Sequence, residues 1–201
     1  MTKIKEPLTP ILESQSVSII KERVNSPYNP EYINVFPMKN SPIQECFDIV
    51  EKYIAENGGK RVLGWALWEL PGLFIEAEFH AVWESPTGEF KDLTPRPTPT
   101  KRILFIRDPS MKYDGKRVNN IRINYSENNT VNDLFKIFED EFETFGPEGI
   151  VLQHQQMLNL SFEMRKVSVH ERMELIFKHL KKTDPCFCNS GEMLKNCHIK
   201  Y

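Results

Sequence analysis

The chain has 201 residues, 40% of them hydrophobic and 27% charged, and a formal net charge of -2, which bounds it at one ordinary domain with an appendage or at two small domains. No stretch approaches the roughly 18 apolar residues of a membrane span, and the N-terminal MTKIKEPLTPILESQ has neither the apolar core nor the cleavage site of a signal peptide. The near-neutral charge argues against nucleic-acid binding by the whole chain, so the expectation is a cytoplasmic protein with no transmembrane segment.

In chain order, residues 1–40 hold one short apolar run, Val17, Ile19 and Ile20, among breakers at Pro27, Pro30 and Pro37, which predicts an irregular segment with one strand or one short helix. Ser41-Pro42-Ile43-Gln44 reads as a helix start, with Ser41 as cap and Gln44 reaching back. Ile43, Phe47, Val50 and Ile54 then form the apolar stripe of a helix over 42–57, ended by Gly58-Gly59. Residues 61–70 and 73–84 predict two strands around a Pro71-Gly72 turn. In the second, Leu73, Ile75, Ala77, Phe79, Ala81 and Trp83 share one face, and Glu76, Glu78 and His80 share the other, the pattern of a half-buried strand. Further strands are predicted at 89–94, 103–108 and 117–125. Thr130 and Asp133 open a helix striped by Val131, Leu134, Phe135, Phe138, Phe142 and Phe145, and Gly146-Pro147 stops it. A second helix over about 148–165 and a third marked by Val169, Met173, Ile176, Phe177 and Leu180 follow.

The fold class is therefore α+β, an antiparallel sheet packed on a helix, followed by a helical region and a small C-terminal module. The divisions are 1–128 for the main domain, 129–182 for the helical region packed on it, and 183–201 for the module. His154, His170 and His179 are isolated and take no role.

Three of the four cysteines lie within twelve positions near the C-terminus. Cys186-Phe-Cys188, eight residues and then Cys197-His198 present the thiolates and imidazole that a tetrahedral zinc prefers. In a chain without a secretion signal such a cluster points to metal rather than disulfides. The tail is too small to bury a core of its own, and a structural zinc supplies folding energy on the order of 10 kcal/mol in such modules. Four protein ligands leave no open coordination position, so the site would be structural. With Pro185, Ser190 and Gly191, these residues resemble the SEC-C motif, a zinc module known from the C-terminus of the preprotein translocase ATPase and from many bacterial proteins. Asn189 departs from that motif's usual glycine, and Glu192-Met193-Leu194 interrupt its usual lysines. The resemblance covers the tail alone and implies a docking element for a protein partner or an anionic surface. Residues 178–201 hold five lysines against Asp184 and Glu192, which suits either docking or a solvated basic tail.

The fourth cysteine begins a second constellation. Cys46 on a helix, His80 on a strand and Asp92 on the next strand supply a nucleophile, a general base and an orienting acid. His80-Ala-Val-Trp83, Gly88 and Asp92-Leu-Thr-Pro95 resemble the histidine and aspartate strands of papain-like and transglutaminase-like proteins. The stretch 46–95 also resembles an uncharacterised bacterial group with a helix cysteine, Gly-Trp, Glu-Phe-His-Ala-Val-Trp and Asp-x-Thr-Pro. The alternative is an inert core cysteine beside the apolar stripe, and no oxyanion donor is identifiable. A third possibility is a divalent metal held by Glu76, Glu78 and His80, against a plain solvated sheet face. The sequence favours a zinc-binding protein whose α+β domain binds a ligand or partner, with a cysteine hydrolase or acyl-transferase as the alternative, so enzyme status stays open.

Overall fold

The computed structural model describes residues 7–43, 45–126, 128–149, 153–177, 181, 183–184 and 192–197. Its elements are α1 (Gln15–Val24), β1 (Glu31–Val35), α2 (Cys46–Asn57), β2 (Lys60–Leu70), β3 (Phe74–Glu84), β4 (Phe90–Asp92), β5 (Arg102–Arg107), β6 (Ile121–Asn124), α3 (Asn129–Phe145), α4 (Gln153–Phe177) and α5 (Leu194–Cys197). Among the described residues no helix is long and apolar enough to cross a membrane.

The class is α+β, but the sheet is neither open nor wholly antiparallel. The strands run β2-β5-β1-β4-β3, and pairing of β2 with β3 closes them into a five-stranded barrel; β6 adds to the outer edge of β3. β1 and β4 pair in parallel, through Asn34 with Lys91 and Val35 with Asp92. The β2–β3 hairpin is the backbone of the barrel, in unbroken register from Lys60–Glu84 to Leu70–Phe74. The proline-rich stretch before residue 40 yields both a helix and a strand. Ser14 Oγ caps α1 by accepting from Val17 N, and Asn25, in the left-handed conformation, ends it.

Closure gives β2, β3 and β5 two covered faces. Inside, Ile33, Ala66, Val82, Ile103 and Phe105 pack together. Outside, Val17 and Ile20 of α1 cover Trp65, Leu67, Ile75, Phe79, Leu104 and Ile106, while α2 covers Ala81 and Trp83. The face of β3 that carries Glu76, Glu78 and His80 looks, in sequence, like a wet sheet face. Ala66 lies directly across from Glu78 and Gly64 across from His80, so these side chains share the face of Ala66, which is the barrel interior.

The predicted pair of helices after residue 148 is one continuous helix, α4, and the strand predicted over 117–125 is shortened to β6. Helices α3 and α4 share a core with Leu70, Leu73 and Phe74 at the hairpin end, through Val131, Leu134, Ile137, Phe145, Phe162, Val169 and Met173. Asn128, not Thr130, caps α3, its Oδ1 accepting from Thr130 N.

Candidate active site

Helix α2 begins four residues later than its sequence signature. Ser41 and Pro42 precede the helix, Ile43 is 52% exposed rather than part of the stripe, and Glu45 occupies the cap with no side-chain hydrogen bond. Cys46 is therefore the first helical residue. Ile49 N to Glu45 O, 3.2 Å, is the first backbone bond of the helix. The N–H groups of Cys46, Phe47 and Asp48 have no intrahelical acceptor, and the helix dipole places its positive end there. Cys46 itself is only 4% exposed and packs with Ile49, Val50, Ala81, Trp83 and Leu93.

His80 comes from the middle of β3. On the edge of β3 away from β2, Phe74–Ala77 pair with β6 and Trp83–Glu84 pair with β4. Residues 78–82 carry no strand partner on that edge, and His80 lies within this opening, where α2 delivers Cys46. Across the hairpin stands Gly64. A Cβ there would lie 2.1 Å from Ile106 O and 2.7 Å from the Phe105 ring, and that ring stands edge-on to His80 with centroids 6.5 Å apart. The missing side chain at 64 makes room for the Phe105 ring.

Asp92 ends β4, fully buried. Its Oδ1 accepts from Thr94 N at 3.1 Å and lies 3.1 Å from His80 Nε2. Its Oδ2 accepts from Arg96 Nη1 at 2.6 Å. Arg96 Nη2 also approaches His80 Nε2, at 3.4 Å. A guanidinium only donates, and the carboxylate is both closer and charged, so Nε2 carries its hydrogen toward Asp92 and the Arg96 contact is mere proximity. The ring nitrogen left for Cys46 is Nδ1.

Burial on its own pushes the His80 pKa down. The neighbouring Cys46 and Asp92, through electrostatic interaction and hydrogen bonding, outweigh it and lift the value to about 10. Burial likewise pushes Asp92 up, but His80, Arg96 and the Thr94 N–H bring it down to about 2. The arrangement at neutral pH is thus an imidazolium flanked by a carboxylate on one side and a cysteine on the other. The three residues proposed from sequence as nucleophile, base and orienting acid converge.

Two residues invisible to the sequence reading complete the surroundings. Arg96 sits in the proline-rich loop after β4, and its one signal is the Asp-x-x-x-Arg spacing. Tyr113, from the loop between β5 and β6, stacks on Phe47 with centroids 3.6 Å apart. Burial, followed by the charges of Asp48, Cys46 and Glu45, raises its pKa.

The metal arrangement of Glu76, Glu78 and His80 does not form. Glu76 pairs with Arg122 Nε at 2.8 Å and accepts from Asn120 Nδ2 at 2.7 Å. Glu78 accepts from Trp68 Nε1 at 2.7 Å, and His80 is committed to Asp92. Among the described residues no group of three or more histidines, cysteines, aspartates or glutamates is arranged to hold a metal. The tail ligands fall elsewhere: Cys186, Cys188 and His198 lie outside the described residues, and Cys197 enters only as the last backbone position of α5. No family model matches the chain, and neither a curated protein nor a solved structure matches it.

Proposed function

We propose that the chain is a thiol acyl-transfer enzyme, a hydrolase or an acyl-transferase, with Cys46 as nucleophile, His80 as general acid and base, and Asp92 as orienting acid. One observation carries the reading: α2, β3 and β4 bring a helix-initial cysteine, a histidine and a carboxylate together in chain-distant order, with the histidine hydrogen-bonded to the carboxylate inside the barrel. In this mechanism the Cys46 thiolate attacks a carbonyl carbon, forming a C–S bond. The oxyanion that develops would be met by the N–H groups of the first turn of α2, which have no intrahelical acceptor. As the C–N or C–O bond breaks, His80 passes its Nδ1 proton to the leaving group. Water or an amine then attacks the thioester, His80 takes that nucleophile's proton, and the thiolate leaves. Asp92 keeps the ring oriented throughout. Met38, from the segment leading into α2, packs on the Cys46 cluster.

The test is the alkylation of Cys46 by iodoacetamide at pH 6, read by peptide mass spectrometry. Rapid labelling of the folded protein that is lost in His80→Ala supports the enzyme. Labelling that occurs only after unfolding sinks it.

For the tail we propose one structural zinc held by Cys186, Cys188, Cys197 and His198, in a module that docks the enzyme to a protein partner. The ligand spacing and its SEC-C resemblance support this, and zinc content per chain tests it.

A further inference from the structure

We infer that Arg96 is a positioning residue of the thiol site: its guanidinium, seated between Asp92 and Trp68, holds Asp92 in the one rotamer and charge state that turns the His80 ring toward Cys46. This rests on the thiol reading and adds to it a residue that touches neither the nucleophile nor an acyl group.

The argument starts from the number of partners a buried carboxylate needs. Asp92 has no contact with solvent, so each oxygen must find its donors within the protein. Oδ1 is shared by Thr94 N–H and His80 Nε2–H, which leaves Oδ2 to Arg96 alone. Nη1 also donates to Thr94 O at 3.1 Å, tying the guanidinium to the backbone of the same turn. The side chain of Arg96 is 11% exposed, so this is a partly desolvated pair, stronger than a surface bridge.

What holds Arg96 is a second layer of the barrel interior. Its guanidinium lies 5.1 Å from the ring centroid of Trp68, and Trp68 is anchored by the bond from its Nε1 to Glu78 Oε2. The Glu78 of the Glu-x-His pair thus serves the site at a distance, through Trp68, Arg96 and Asp92. The charged groups around Asp92 are His80 from β3, Arg96 from the loop after β4 and, across the imidazole, Cys46 from α2. β1 and β5 bring the apolar Ile33, Val35 and Phe105 to the same interior.

Arginine suits the task in a way lysine does not. It stays protonated over the whole working range, spans two acceptors with a planar fork and stacks on an indole. Without it, Oδ2 is a buried acceptor with no donor. The carboxylate then takes up a proton at a higher pH, and once neutral it no longer favours the imidazolium.

The experiment is the pH profile of Cys46 alkylation by iodoacetamide in the full chain, comparing wild type with Arg96→Gln and Arg96→Lys. Arg96→Gln is expected to move the acidic limb up by about one pH unit or more and, with Asp92 no longer held in one rotamer, to slow labelling across the profile, pH 6 included, about tenfold. Arg96→Lys restores the charge but not the fork, so its limb should coincide with wild type while its rate falls about threefold. A limb in Arg96→Gln unchanged from wild type overturns the role of Arg96 and leaves the thiol reading intact. Should Arg96→Gln not fold, an Arg96→Lys protein equal to wild type in both limb and rate shows a purely structural arginine and overturns the inference too. Wild-type labelling that ignores His80→Ala removes the thiol reading and this inference together.

Discussion

His80 Nε2 and Asp92 Oδ1 stand 3.1 Å apart, with 2% and 0% of their side chains reaching solvent. A pair buried this deeply ties folding to pH. The folded His80 pKa, about 10, lies above its ordinary 6.5. Its contribution to stability is complete below pH 6.5 and disappears as pH rises through about 10. Asp92, lowered from 3.8 to about 2, contributes above pH 3.8 and loses its share as pH falls through about 2. Urea unfolding across pH 6–10 should therefore show a decline in wild type that is much flatter in His80→Gln. Parallel slopes in the two proteins would contradict a charged His80 in the folded state.

The same pair separates two substitutions of Asp92. Asparagine keeps an oxygen to accept from His80 Nε2–H but places no negative charge beside the ring. Alanine leaves His80 Nε2–H without its acceptor and Arg96 with only the Thr94 carbonyl, and losing one side of such a buried pair costs about 3–5 kcal/mol. We expect Asp92→Ala to be the less stable of the two by at least about 2 kcal/mol in equilibrium unfolding. Equal stabilities would mean that solvent or another group already satisfies the histidine.

Part of the candidate site is written in the sequence, because Cys46 and His80 belong to strongly patterned elements. The eleven-residue β3 fixes the face of His80 by alternation, and Asp92 follows a Pro-Thr-Gly turn that returns the chain beside it. The barrel is not written there. Its closure depends on β1, five residues among prolines, pairing in parallel with the three-residue β4; neither strand has enough residues to show a period. Local chemistry also misleads at Ser41-Pro42, a good capping signature that the chain does not use. The helix starts where Cys46 and Ile49 can be buried against Ala81 and Trp83, and tertiary packing outweighs the cap. Arg96 escapes sequence reading because loop residues have no periodicity to fix their direction.

Gly64 gives the sheet a prediction of its own. Its φ is ordinary, so backbone freedom is not the reason for glycine here; space is. A methyl group would press on Ile106 O and the Phe105 ring, and the carbonyl belongs to a paired strand that cannot turn aside. Gly64→Ala should lower stability by about 2–3 kcal/mol in urea unfolding. Because β2 must shift from β5 directly opposite His80, the labelling rate of Cys46 should fall as well. A variant with the wild-type unfolding midpoint would show that β2 and β5 are not packed as closely as this register requires.

The last prediction separates the tail from the barrel. If Cys186, Cys188, Cys197 and His198 hold zinc, the purified chain carries one zinc per molecule, and Cys186→Ser loses it. The ion's folding energy would then be local, since its ligands all lie within the last sixteen residues, beyond the described core residues, which run to Met173. Removing zinc with a chelator should therefore leave the unfolding of the barrel within about 0.5 kcal/mol of the untreated protein, while protease cuts the tail faster. Cys46 labelling should be unaffected. A drop in barrel stability or in Cys46 reactivity on chelation would mean that the metal reaches the thiol site, and that tail and barrel act as one unit.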